Sequence, residues 1–296
     1  MKKLLRSLRA LSVALALLIS LSSCVPQEVK PSQPRARVAV VLGAGASKGF
    51  AHVGVLKVLE SNKAPVNMIV GTSVGSFVGS LYAYGFNAFQ LQKISFDIEK
   101  GDIADLTVPD NGFIKGDKLE DYVNHMLNNT PIEKLRIPFY AVTTDLQTGR
   151  EVVFAKGNTG TAVRASCSIP GIFRPARIEN RLYVDGGVVS PVAVDAARSL
   201  GADIVIAVDI SSPPDGQQPQ GTIETILQSI SIMYSKLSAI QLARADIVIR
   251  PKVGHIESGD FSRKHEAVLE GEKAATEAMP KINALLAKLR QEGRLQ

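Results

Sequence analysis

Tryptophan is absent from this chain of 296 residues, cysteine occurs only twice, and histidine four times. Two cysteines, Cys24 and Cys167, cannot staple a disulfide framework, and no structural disulfide is expected. His52, His125, His255 and His265 form no cluster with cysteine at metal-ligand spacing, so no metal is expected, and no cofactor. Aromatic residues make up 5% of the chain and no basic stripe is interleaved with them, which argues against a nucleic-acid partner. Beyond residue 23 no apolar run is long enough to span a bilayer.

Charge of one sign is concentrated at the start. Lys2, Lys3, Arg6 and Arg9 precede an apolar run from Ala10 to Leu21, and no acidic residue occurs before Ser23. A charged region followed by a short apolar one is the pattern of a secretory signal, assigned to residues 1–23. Four of the 34 basic residues lie in it, which leaves 30 against 28 acidic ones. The basic isoelectric point therefore says little about a partner. Leu21-Ser22-Ser23-Cys24 resembles a bacterial lipobox, in which the cysteine is lipidated and becomes the first mature residue. A plain signal with a chance cysteine is the alternative. Val25 follows, not Asp, which by the usual sorting pattern of such lipoproteins points to the outer membrane. A lipid on Cys24 attaches a protein to a membrane without spanning it. Residues 24–36 are polar and proline-rich and read as a tether. Residues 37–296 are long enough for one large α/β domain.

Within that domain, Met68-Ile69-Val70 reads as a buried strand that runs into Gly71-Thr72-Ser73-Val74-Gly75. Apolar residues at helical spacing follow: Val74, Phe77, Val78 and Leu81. Strand, sharp turn and helix around G-x-S-x-G is the setting of a nucleophile elbow, with Ser73 as the nucleophile. Gly71 and Gly75 leave room for the tight crossing. The alternative is a small-residue turn that packs a helix close to a sheet.

An earlier strand, Val38-Ala39-Val40-Val41-Leu42, leads into Gly43-Ala44-Gly45-Ala46-Ser47-Lys48-Gly49 and then a helix. A glycine-rich loop at a helix N-terminus suits an anion. A dinucleotide fingerprint requires the third glycine one residue earlier, and a P-loop requires Gly-Lys-Ser/Thr where the order here is Ser-Lys-Gly. An oxyanion hole fits better. Ser73 lies 28 residues after Gly45, about one β–α–β unit. Two successive parallel strands then place the amides near Gly45 and Ala46 beside the serine. Lys48 reads as a solvated loop residue.

Farther along, buried strands are expected at 138–143, 203–210 and 247–249, a hairpin-like pair at 138–143 and 151–154, and another around Asn180. Helices are expected at 87–100, 117–128, 161–168, 191–200, 222–243 and 266–289. Residues 211–220 read as a loop over the site. Asp145 reads as a turn residue. Asp185-Gly186-Gly187 ends a short strand, and on its own Asp185 also reads as a turn aspartate.

The glycine-rich loop ending in Lys48-Gly49, Gly71-Thr72-Ser73-Val74-Gly75, Ser166-Cys167-Ser168-Ile169-Pro170-Gly171 and Asp185-Gly186-Gly187, in that order, resemble the patatin-like phospholipase family. The resemblance implies an α/β fold with a central, mostly parallel sheet flanked by helices, a three-layer sandwich. It implies a Ser–Asp dyad without histidine, with Ser73 as nucleophile and Asp185 as general base. Backbone near Ala44, Gly45 and Ala46 is implied as the oxyanion hole, and a lipid or lysolipid ester as substrate. The family loop is usually a run of glycines, and alanines stand here at 44 and 46. Two rivals remain: an α/β-hydrolase triad of Ser73, an aspartate such as Asp209, and His255 or His265; and a non-catalytic lipoprotein that binds lipid or a partner protein.

Overall fold

The computed structural model describes residues 34–108, 111–211 and 218–295. By its contacts the chain divides into two units, Met1–Pro34 and Arg35–Gln296. The signal assignment, Cys24 and most of the tether lie outside the described residues. So does most of the loop expected over the site.

Among the described residues the second unit contains one eight-stranded sheet. The strands are β1 (Val38–Leu42), β2 (Met68–Thr72), β3 (Phe139–Asp145), β4 (Glu151–Phe154), β5 (Ala176–Ile178), β6 (Arg181–Asp185), β7 (Ile204–Val208) and β8 (Ile247–Ile249). Their order is β5-β6-β3-β2-β1-β7-β8, with β4 also paired to β3. Strands β3, β2, β1, β7 and β8 are parallel neighbours, and β4, β5 and β6 pair antiparallel.

β1 is VAVVL and every residue of it is buried, as a central parallel strand requires. Its side chains alternate between two cores. Val38, Val40 and Leu42 join Ile69 and the helices of one face. Ala39 and Val41 join Met68, Val70 and Ala197 on the other. A period of two on a strand buried on both faces is what creates a sheet between two helical layers. Each fully buried Val, Leu or Ile contributes roughly 1.5–3 kcal/mol relative to exposure.

The helices are α1 (Phe50–Ser61), α2 (Val74–Tyr84), α3 (Ala88–Asp97), the short α4 (Lys100–Ile103), α5 (Asp117–Met126), α6 (Thr159–Ser166), α7 (Val194–Ser199), α8 (Thr222–Leu242) and α9 (Lys264–Gln291). The helix expected at 191–200 is shorter than its apolar pattern suggests. Pro191 accepts a hydrogen bond at its carbonyl from Ala44, which takes that stretch away from helical pairing. β1 and β2 are neighbours in register, Leu42 opposite Gly71. The loops that leave their C-terminal ends therefore meet at one sheet edge. β6 reaches the same edge from the other direction, with Asp185 opposite Thr143 of β3.

Candidate active site

Ser73 caps α2 at φ 56° and ψ −127°. A non-glycine residue at positive φ costs about 1–3 kcal/mol and persists only where its surroundings impose it. Several contacts impose it here. Ser73 donates its N–H to Ser166 Oγ at 2.9 Å, and Ser166 Oγ in turn donates to the Val142 carbonyl at 2.6 Å. The Ser73 carbonyl accepts from Ser76 Oγ at 2.7 Å. A Cβ on Gly75 would lie 2.0 Å from the Leu42 carbonyl oxygen, so the elbow presses directly onto β1. Gly71 is equally confined, against the Gly75–Ser76 backbone.

The strained turn presents the Ser73 hydroxyl to a carboxylate. Ser73 Oγ donates to Asp185 Oδ2 at 2.6 Å, across 112 residues of sequence. Asp185 has no exposed surface and Ser73 is 3% exposed. The other carboxylate oxygen, Oδ1, accepts from the Gly187 amide at 2.7 Å and from Tyr234 Oη at 3.0 Å. Burial pushes the Asp185 carboxyl up to about 6, and the bonds from Ser73, Gly187 and Tyr234 hold it down against that. Gly186 and Gly187 both sit where backbone or ring approaches. A Cβ at 186 would be 2.2 Å from the Val142 carbonyl oxygen, and one at 187 would be 2.2 Å from the Tyr234 ring.

The glycine-rich loop lies at the same edge, with one correction to the expected donors. Ala44 donates its N–H to the Pro191 carbonyl at 2.9 Å, so it is not free for an oxyanion. Among the described residues the Gly45 and Ala46 amides donate to no protein acceptor. Ala46 adopts φ 51°, so the left-handed geometry that suits glycine is taken up here by alanine. The peptide before these amides is held at both ends. Its N–H goes to Pro191, and the Gly43 carbonyl accepts from His52 Nε2 at 2.8 Å. His52 is fully buried, which lowers its pKa to about 4 and keeps the ring neutral. Lys48 is buried as well, contrary to the solvated reading.

Sequence reasoning passed over Tyr234 and took His52 for an ordinary helix residue. His52 sits in a helix that also carries Lys57 and Glu60, and its full burial distinguishes it. Tyr234 lies in a helix 49 residues after Asp185 and carries no motif. The rival triad does not assemble. His255 Nε2 pairs with Glu266 at 2.6 Å and His265 stacks on Phe96. Asp209 accepts from Ser211 and Arg250. None of the three meets Ser73. Asp145 accepts from the Gln147 and Thr148 amides and pairs with Arg181, as a turn aspartate does.

Beside Ser73 opens a cavity of about 290 Å³. Its wall is apolar almost throughout, with Phe50, Phe77, Leu81, Leu91 and Phe173 among its residues, and Lys100 as the one charged side chain among those described. Cys167 is on the same wall, buried, its thiol pushed up by burial and by Asp185. No group of histidine, cysteine and acidic side chains among the described residues could hold a metal.

Fold and site together define an α/β protein with a serine elbow paired to a buried aspartate beside an apolar cavity. Within that class, the chain belongs to the patatin-like phospholipase family, whose model matches residues 40–198. An uncharacterised NTE family protein of Mycobacterium tuberculosis is 31% identical over 208 residues, 69% of this chain and 57% of that protein. Human patatin-like phospholipase domain-containing protein 6 is 32% identical over 232 residues, 75% of this chain but 16% of its own length. Lysophospholipase nte1 of Aspergillus fumigatus is 35% identical over 184 residues, 60% of this chain and 12% of its own. This chain therefore spans little more than half of the mycobacterial relative and a small part of the other two. The solved structure of VipD from Legionella pneumophila superposes with a TM-score of 0.49 at 13% identity, over 84% of this chain and 68% of that one.

The buried carboxylate yields a stability prediction. Its pKa is raised from 3.8 to about 6, so the folded state disfavours the charge. The resulting penalty is absent well below pH 3.8, still small at about pH 4, grows as pH rises to 6, and is complete above it, at about 3 kcal/mol. Asp185→Asn, which keeps the shape without the charge, is expected to raise stability by about 2 kcal/mol near pH 8 and to leave it nearly unchanged near pH 4. Urea denaturation at the two pH values measures the difference.

Proposed function

We propose that this protein is a serine lipid acyl hydrolase, of phospholipase, lysophospholipase or esterase type, that works through a Ser73–Asp185 dyad and an acyl-enzyme. The observation that carries the reading is the 2.6 Å hydrogen bond from a strained, cavity-lining serine to a buried carboxylate. Family membership and the names of the relatives, phospholipase domain and lysophospholipase, support a lipid ester as substrate.

In the proposed cycle Ser73 Oγ bonds to the ester carbonyl carbon while Asp185 Oδ2 takes the hydroxyl proton. An ordinary aspartate is a weak base toward serine, and burial of Asp185 raises its basicity. The carbonyl π electrons move onto oxygen, and the Gly45 and Ala46 amides receive that oxyanion. A good donor there contributes about 3–4 kcal/mol. The tetrahedral centre collapses, the bond to the alcohol oxygen breaks, and Asp185 returns its proton to the departing alcohol or lysolipid. Water then attacks the acyl-serine and gives a proton to Asp185; the Ser73–acyl bond breaks, Asp185 passes that proton to Ser73 Oγ, and the fatty acid is released. The apolar cavity takes the acyl chain, at about 0.8 kcal/mol for each methylene removed from water.

The proposal extends to location. Residues 1–23 act as an export signal and Cys24 carries the lipid, which holds the domain at the outer membrane, where its substrates are concentrated. Among the described residues no helix is long and apolar enough to cross a membrane.

A fluorophosphonate probe is expected to label the wild type and not Ser73→Ala, and the substitution is expected to lower ester kcat/KM by more than ~10³ with the fold intact. Absence of labelling in both, on folded protein, points instead to a lipid-binding protein without turnover. Fatty acids released from a panel of phospholipids and lysophospholipids, read by mass spectrometry, identify the substrate. The acid limb of kcat/KM is expected near pH 6, since activity requires the ionised carboxylate. Cys24→Ser is expected to move the protein from the membrane fraction to the soluble one in the producing bacterium, read by immunoblot.

A further inference from the structure

Among the described residues, Tyr234 is the one side chain besides Ser73 that bonds the Asp185 carboxylate. It projects from α8, an element with no part in any motif, and it is 6% exposed. Its hydroxyl donates to Oδ1 at 3.0 Å, and the Gly187 amide donates to the same oxygen at 2.7 Å. With both bonds made to Oδ1, Oδ2 is left to Ser73. The ring is fitted as closely as the hydroxyl. Gly187 has no room for a methyl group because the Tyr234 ring fills that space. Tyr234 shares a small buried cluster with Ile230 and with Ala44, which is 1% exposed. Ala44 is one of the two alanines that interrupt the glycine loop. It belongs to the buried cluster that seats Tyr234.

We propose that Tyr234 is a positioning residue for the reaction, holding the Asp185 carboxylate ionised with Oδ2 turned toward Ser73. This rests on the reading of Ser73 and Asp185 as the dyad. A neutral phenol that donates to a carboxylate favours the charged form. The phenol itself stays neutral, because burial and the adjacent carboxylate raise its pKa well above 10. The groups that face Asp185 are Ser73 from the elbow, the Gly187 amide from its own strand end, Tyr234 from α8 and the Cys167 thiol from the end of α6. Among the described residues no cation shifts it, and the hydrogen bonds from Ser73, Gly187 and Tyr234 oppose its desolvation. In such a site the loss of one donor is felt directly in the proton affinity.

The test is Tyr234→Phe, assayed as kcat/KM against pH on p-nitrophenyl butyrate. The acid limb is expected to move upward by about one pH unit, the size of one hydrogen bond to a charged group. At pH 6 that displacement alone lowers kcat/KM about fivefold, and near pH 8.5 the variant approaches the wild type. KM is expected to stay within about twofold, since the phenol does not touch substrate. Recovery at high pH also reports an intact fold. Site-specific 3-fluorotyrosine at 234 keeps the shape and strengthens the donor, and is expected to move the limb downward, so the proposal stays testable if the phenylalanine variant does not fold. An unmoved limb, or a loss equal at every pH, overturns it. Titration of the ¹³C-labelled Asp185 carboxyl in both proteins gives the same decision without turnover, with its midpoint expected to rise in Tyr234→Phe. If that midpoint rises while the wild type neither labels nor hydrolyses esters, the positioning role stands and the hydrolase reading fails.

Discussion

Everything at this sheet edge depends on keeping one carboxylate dry. Asp185 is sealed from solvent, and among the described residues no cation compensates its charge. Water is replaced by three donors, a hydroxyl, an amide and a phenol, drawn from three separate parts of the chain. A buried charge without partners costs several kcal/mol, and three charge-assisted bonds offset a large part of that. The remainder is visible as a raised pKa. In the proposed chemistry that remainder is useful, because an aspartate in water is too weak a base to draw a proton from serine.

The surrounding structure is arranged to hold this costly group in place. Ser73 is kept at positive φ by Ser166, by Ser76 and by contact of the elbow with β1. The glycine loop is fixed at the peptide before its free amides, by His52 on one side and Pro191 on the other. Both devices use buried polar side chains bonded to backbone. They tie loops to the parallel strands, leaving the Ser73 hydroxyl polarised by Asp185 and, among the described residues, the Gly45 and Ala46 amides without a protein acceptor. That division between a rigid support and a reactive edge is common to sites built at the C-terminal ends of parallel strands.

The alanines of the loop show why a motif is best judged by its backbone. Ala46 takes φ 51°, so replacement of glycine did not remove the conformation, although it adds strain. Ala44 lost its place as a donor for a different reason: its amide is bonded to Pro191 across 147 residues of chain, which no reading of the loop alone reveals.

Much of this molecule was determined by sequence alone. The strands at 38–42 and 204–208, and the first three residues of the strand at 68–72, are continuous apolar runs, and burial on both faces leaves a strand little choice of composition. The elbow at Ser73 was legible because glycines on either side of a serine, between strand and helix, meet a local steric demand. Spacing of one β–α–β unit was enough to bring the loop at Gly45 to that serine, since chirality allows one handedness. What the tertiary structure decided was everything carried by distant pairs. Asp185 is a turn aspartate until β6 pairs with β3 and turns it toward Ser73. Tyr234 and His52 have no local signature, because their partners are a carboxylate 49 residues away and a carbonyl whose direction depends on Pro191. Local sterics can be read from neighbouring letters; the partner of a buried polar atom is known only once the chain has closed around it.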